Sequence, residues 1–181
     1  MIYLESKELI LLVDEEDREL GYEEKLKVHE KALLHRAFSI FIFNTKGELL
    51  LQKREKSKYH SPGLWTNTCC SHQRKGENLK EAIHRRLKEE MGFDTELKEK
   101  FTFIYRAEFD NGLTEYELDH VFTGVYEGPV KLNPIEVEEY RWISLEELKK
   151  ELQEMPEDYT YWFKASIDRL FNLYNNGTLL D

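Results

Sequence analysis

The stretch from Asn78 to Gly92 constrains this chain more than any other. Apolar residues at Leu79, Ala82, Ile83, Leu87 and Met91 recur with the period of a helix, and Gly92 supplies a C-terminal stop. At about 100° per residue, Glu90 falls within the arc of Leu79, Ile83 and Leu87, whereas Glu81, Arg85 and Lys88 lie opposite. A carboxylate aimed at a core is costly unless it meets a cation or a metal. Arg86, one turn back, projects from nearly the same face, so an internal Arg86–Glu90 ion pair and a metal or ligand site both remain open. Glu89, nearer the edge of the arc, reads as solvated.

Around this helix the chain alternates between strand and helix signals. Glu8 to Val13, Arg36 to Phe43 and Leu49 to Arg54 read as strands, the last two joined as a hairpin at Asn44-Thr45-Lys46-Gly47. Phe101 to Phe109 and Thr114 to Tyr126 flank the turn Asp110-Asn111-Gly112, and a short strand follows near Tyr140 to Ile143. Ser144 with Glu147 forms a capping box that opens another helix, and Asp158 to Tyr174 reads as a last amphipathic helix. That order predicts an α+β chain, an α/β sandwich with a mixed, mostly antiparallel sheet flanked by helices. With 181 residues, 40% of them hydrophobic, no internal repeat and only scattered prolines, one domain over 1–181 is expected.

A formal net charge of -10 argues against nucleic acid or an anionic membrane as partner, so an anionic ligand must be held by a local basic cluster. The segment KREKSKYH, residues 53–60, is such an island. The apolar run near the N-terminus is short and interrupted by acids, and no later stretch is long enough to span a bilayer, which predicts a cytoplasmic protein. Cys69 and Cys70 are adjacent, a spacing that suits free thiols in a reducing compartment.

Three further stretches concentrate groups suited to proton transfer and metal binding: His29 with His35, the segment TNTCCSH at 66–72, and Glu115-Tyr116-Glu117. In an extended chain Cys70 and His72 share a face, as do Glu115 and Glu117, so each pair can converge on one ion. Taken singly each has an ordinary reading. His29 and His35 suit hydrogen-bonded or surface histidines, Cys70 a small core residue, Glu115 and Glu117 a solvated strand face, and Tyr105 and Trp162 core aromatics. His60, His84 and His120 belong to no constellation.

The segment GENLKEAIHRRLKEEMGF resembles a Nudix box, with matches at Glu77, Arg85, Leu87, Glu89, Glu90 and Gly92. Ser71 replaces the opening glycine and Arg86 replaces a metal-binding glutamate, which removes a ligand and adds a phosphate donor. HEKALLHRAFSIF, WTNTCCSH, RRLKEEMG and DNGLTEYE follow one another in an order that closely resembles type I isopentenyl diphosphate isomerases, from about Leu11 to Phe171.

That resemblance implies a Nudix-like fold and one divalent cation, zinc or manganese, on His29, His35, His72, Glu115 and Glu117. The spacing from His29 to His35 varies in the family. The resemblance gives Cys70 and Glu117 the proton-transfer roles, with Tyr105 near Glu117 and Trp162 offering an aromatic face to a carbocation. Arg54 and Lys58 from the basic island, helped by Lys25 and Arg86, would hold a small-molecule diphosphate, and Glu90 a magnesium ion bound with it. Lys53 and Lys56 read as solvated. No flavin is implied, and a monomer is expected, with a weak homodimer left open. The competing enzyme reading is a Nudix hydrolase of a nucleoside diphosphate derivative, opposed by Arg86, Ser71 and the Cys/His/Glu constellation. A zinc-binding interaction module would explain neither the basic island nor Glu90.

Overall fold

The computed structural model describes residues 8–58 and 60–181, so the opening of the short N-terminal apolar run, residues 1–7, lies outside the described residues. The elements run β1 (Leu9–Val13), β2 (Glu19–Glu24), α1 (Lys25–Glu30), β3 (His35–Phe43), β4 (Leu49–Arg54), β5 (Trp65–Thr66), β6 (Cys69–Ser71), α2 (Leu79–Met91), β7 (Lys98–Glu108), β8 (Thr114–Val125), β9 (Val137–Ile143), α3 (Leu145–Glu154), a 3-10 turn (Pro156–Asp158) and α4 (Tyr161–Asn175). Strand β3 is the centre of a mixed sheet. It runs parallel to β8 from His35↔Glu117 to Phe43↔Val125 and antiparallel to β1 and β6, while β7 pairs antiparallel with β8.

The hairpin expected between β3 and β4 closes only at its mouth, where Phe43 faces Leu49. Beyond that point β4 leaves to pair with β5 and β9. The wedge is residues 66–69. Thr68 Oγ1 accepts the Ile42 N–H at 2.9 Å and donates to the Leu50 carbonyl at 2.6 Å, while Asn67 Nδ2 donates to the Ile40 and Cys69 carbonyls. Side chains thus take over backbone groups of β3 and β4, among them the Ile42 N–H and the Ile40 and Leu50 carbonyls, where the hairpin opens.

Both faces of the sheet are covered. Along β3 the side chains of Phe41 and Phe43 point to a core shared with Leu51, Tyr159, Phe163 and Ile167. Phe38, Ile40 and Ile42 point the other way, onto Leu87 and Met91 of α2. This period-2 split explains why β3 from Ala37 onward reads as a continuous apolar run broken only by Ser39.

Helix α2 matches its sequence reading and is better anchored than expected. Asn78 caps it by accepting the Glu81 N–H, and the Glu81 carboxylate accepts the Asn78 N–H in return. Gly92 ends it at φ 73°, and a Cβ there would collide with the Lys131 carbonyl, so glycine is required twice over. Ser144 caps α3 as predicted, its side chain accepting the Glu147 N–H at 3.2 Å. Helix α4 starts at Tyr161 rather than Asp158. Thr160 is held extended by donating its N–H to the Trp65 carbonyl at 3.0 Å and by a 2.8 Å hydroxyl contact with Thr66, so the helical register cannot begin earlier. No described helix is long and apolar enough to cross a membrane.

Candidate active site

Strand register brings the separated motifs together. The parallel β3–β8 pairing sets His35 beside Glu117, β7 sets Tyr105 across from Glu117, and β6 sets Cys70 across from Ser39. His29 comes in from α1 and His72 follows β6. One ligand atom from each of His29, His35, His72, Glu115 and Glu117 falls within a group whose members all lie within 4.8 Å of one another.

Two of the imidazoles are oriented by main chain. His29 Nδ1 lies 2.7 Å from the Lys25 carbonyl and His35 Nδ1 2.9 Å from the Leu33 carbonyl. A carbonyl only accepts, so each Nδ1 donates a proton to it and each Nε2 is turned toward the carboxylates, where a metal would be ligated. His29 Nε2 stands 3.2 Å from Glu115 and His72 Nε2 3.1 Å from Glu117 Oε1. His35 Nε2 is 3.3 Å from Glu117 Oε1 and 3.8 Å from Glu115 Oε2, but neither contact has hydrogen-bond geometry, and this fully buried nitrogen has no hydrogen-bond partner. An orphaned, buried ring nitrogen facing two carboxylates, with two more imidazoles beside it, fits a divalent transition metal.

The electrostatics agree with a cation-seeking centre. Burial opposes ionisation of Glu115, but hydrogen bonds from His29 and His60 outweigh it and hold this carboxyl well below the usual range. For His35, burial works against protonation yet Glu117 and Glu115 prevail and raise its pKa, whereas burial prevails at His72 and lowers it.

Three members of this group, His72, Glu115 and Glu117, line a cleft of about 560 Å³, counting its open mouth, together with Cys70, Tyr105, Trp162, Lys25, Arg54, Lys58, Arg86 and Glu90, while His29 and His35 do not line it. The Tyr105 hydroxyl donates to Glu117 Oε2 at 2.6 Å. Burial pushes the Cys70 thiol far above its ordinary range, with Arg54 offsetting part of the effect, so the thiol holds its proton. Trp162 is nearly buried, and the Arg54 guanidinium sits 5.1 Å from its ring centroid, so one aromatic face already carries a cation.

Of the two readings left open for Glu90, the internal ion pair is present. Glu90 Oε1 pairs with Arg86 Nη2 at 2.8 Å and Oε2 accepts from Gln52 Nε2 at 2.7 Å, and the pair lines the cleft. Each oxygen keeps a second lone pair, which is enough for a cation that takes most of its ligands from substrate and water. Lys25 stands 3.8 Å from Glu8, and Lys58 pairs with Glu136. Glu89 is not simply solvated: Arg85 and Arg86 each reach it at 3.1 Å, with Arg74 at 3.6 Å. Lys53 and Lys56 turn to Glu138, at 3.9 and 3.6 Å, and do not line the cleft.

Two site residues escaped the sequence reading. His60 does belong to the constellation: its Nε2 is 2.9 Å from Glu115 Oε1, and its ring stacks on Phe109 at 5.3 Å and meets Trp162 edge-on at 5.6 Å. Burial lowers its pKa against the pull of Glu115. Its place in the basic island was the available signal. Glu136, at the entry to β9, binds both Lys58 and Arg86, and nothing in its local sequence marks it. His84 and His120 lie elsewhere, His84 2.6 Å from Asp94 and His120 bridging Asp17 and Glu99 at 2.9 and 2.7 Å.

With the geometry in place, comparison with known proteins is direct. The NUDIX domain family model matches residues 33–164. The chain is 52% identical over 163 residues to isopentenyl-diphosphate Delta-isomerase 2 of Photorhabdus laumondii, spanning 90% of this chain and 92% of that one. Isopentenyl-diphosphate Delta-isomerase 1 of Aromatoleum aromaticum is 52% identical over 161 residues, 89% of this chain and 91% of that one. A crystal structure of a Deinococcus radiodurans protein shares the fold with a TM-score of 0.67 at 20% identity, over 82% of this chain and 90% of that one. The extent of the match to the curated relatives settles the assignment: the chain belongs to the type I isopentenyl-diphosphate Delta-isomerase family of the Nudix superfamily.

Proposed function

We propose that this chain, an isomerase by family, interconverts isopentenyl diphosphate and dimethylallyl diphosphate by adding one proton and removing another. The observation that carries the reading is one cleft lined by the Cys70 thiol, a set of basic side chains and three members of the His/Glu cluster, His72, Glu115 and Glu117. Moving the double bond requires protonating an unactivated alkene and taking a proton from carbon two, with tertiary carbocation character in between. Cys70 and the Glu117–Tyr105 pair are assigned the two proton-transfer positions. The Cys70 thiol is protonated, as a donor must be, and Tyr105 fixes the orientation of Glu117. Trp162, Phe38 and the covering ring of His60 supply walls that stabilise positive charge and exclude water, which would otherwise trap the cation as an alcohol.

His29, His35, His72, Glu115 and Glu117 are proposed to hold one zinc or manganese ion, whose field would bias the protonation of Glu117. Arg54, Lys58, Arg86 and Lys25 would bind the diphosphate, with Glu90 meeting a magnesium ion that travels with it. A Nudix hydrolase reading loses ground because Arg86 replaces a carboxylate of the box with a cation.

The test follows purified protein with isopentenyl diphosphate, magnesium and zinc or manganese in heavy water by NMR. Deuterium-labelled dimethylallyl diphosphate without phosphate release, abolished in Cys70→Ala, is the expected outcome. Metal-loaded protein that leaves the alkene signals unchanged rules the assignment out.

A further inference from the structure

Lys58 and Arg86 are two of the cations lining the cleft, and both are already paired with carboxylates. Glu136 pairs with Lys58 Nζ, and its Oε2 lies 2.9 Å from Arg86 Nη2, the same nitrogen that meets Glu90 Oε1 at 2.8 Å. Two cations therefore face two carboxylates. All four side chains are largely shielded from water, with 13%, 13%, 14% and 7% of Lys58, Arg86, Glu136 and Glu90 exposed, so these charges act on one another with little solvent screening. Glu136 is held firmly: its N–H donates to the Asn133 carbonyl at 3.0 Å and its own carbonyl accepts from the Glu55 N–H at 3.2 Å. Lys58, Arg86 and Glu90 line the cleft, while Glu136 reaches the two cations from behind that lining.

Resting on the diphosphate reading above, we propose that Glu136 is an internal counter-ion that makes anion binding at Lys58 and Arg86 conditional on a divalent cation. A bare diphosphate entering here meets a wall with no net charge from these four groups and is repelled by Glu136 and Glu90. A diphosphate carrying a divalent cation brings its own compensation, and the two carboxylates then become favourable partners. The cluster selects the metal-complexed form of the ligand and discriminates against the free anion.

The experiment is calorimetric binding of isopentyl diphosphate, a saturated analogue with no alkene to protonate, to zinc-loaded protein with and without magnesium. Wild type is expected to bind well with magnesium and poorly without it. In Glu136→Gln, magnesium-free affinity rises by about tenfold or more, the effect of removing one nearby like charge, and the ratio of the two affinities shrinks accordingly. Glu136→Asp, which keeps the charge, preserves the wild-type ratio and controls for disturbed folding. An unchanged ratio in Glu136→Gln, or weaker binding in both buffers, identifies Glu136 as a tether for the two cations and overturns the counter-ion role. If wild type binds the analogue in neither buffer, the diphosphate reading itself fails and takes this inference with it.

Discussion

The Tyr105 hydroxyl donates a 2.6 Å hydrogen bond to Glu117 Oε2 while the other oxygen of Glu117 faces His35 and His72, so one carboxylate is divided between a proton donor and the imidazole cluster. A hydrogen bond to a charged group contributes about 1.5–3 kcal/mol. Tyr105→Phe removes it without changing the ring, and is expected to lower kcat by about ten- to a hundredfold with little change in KM, because Tyr105 is not among the groups assigned to the diphosphate. Steady-state kinetics separates the two parameters, and a pure KM effect would contradict the assignment.

Metal removal tests the cluster. Protein stripped by a chelator is expected to regain thermal stability on adding zinc or manganese, with one ion per chain and a melting temperature that follows free metal. At about a hundred times Kd the gain is about 2.7 kcal/mol. His35→Asn, which withdraws the orphaned Nε2, is expected to weaken binding about tenfold or more in a competition titration.

Thr68 holds the open hairpin, so Thr68→Val links fold to site. The replacement is nearly isosteric but leaves the Ile42 N–H and the Leu50 carbonyl without their partner. Each stranded buried group costs about 1–3 kcal/mol, and a chain of this length loses about 2–4 °C per kcal/mol. A drop of several degrees, measured by calorimetry, should come with reduced turnover, since Cys70 lies two residues further on.

Acid sensitivity has an identifiable contributor outside the cleft. A hydrogen bond from Arg141 lowers the Glu151 pKa below the ordinary 4.5, against partial burial, and the Tyr159 hydroxyl donates to the same carboxylate at 2.6 Å. A depressed carboxyl pKa contributes stability that is fully present above 4.5 and disappears as pH falls through the lower folded value. Glu151→Gln should therefore melt below wild type at pH 7, with the gap closing in the acid range, as fluorescence melts across pH will register.

What could be read along the chain was whatever local periodicity and turn chemistry encode. Helix α2, the inward Glu90, the strands carrying Glu115 and Glu117 and the stop at Gly92 all follow from side-chain spacing within a few residues. The convergence of His29, His35, His72, Glu115 and Glu117 was also legible, though only through their joint resemblance to a family, because spacing alone left each with an ordinary explanation.

Tertiary structure decided the rest. The turn at Asn44–Gly47 announces a reversal but not which strand will pair with β4, and the Thr68 wedge sends β3 and β4 to different partners. His60, despite its place in the basic island, and Glu136 went unassigned for a related reason: each reaches the site from a connecting segment, where no regular period fixes the direction of a side chain. Residue spacing determines which face of an element a group occupies. Only the packing of elements and the course of the chain between them determine what that face meets, and here they turned the Arg86–Glu90 pair from an either-or into a charged wall of the cleft.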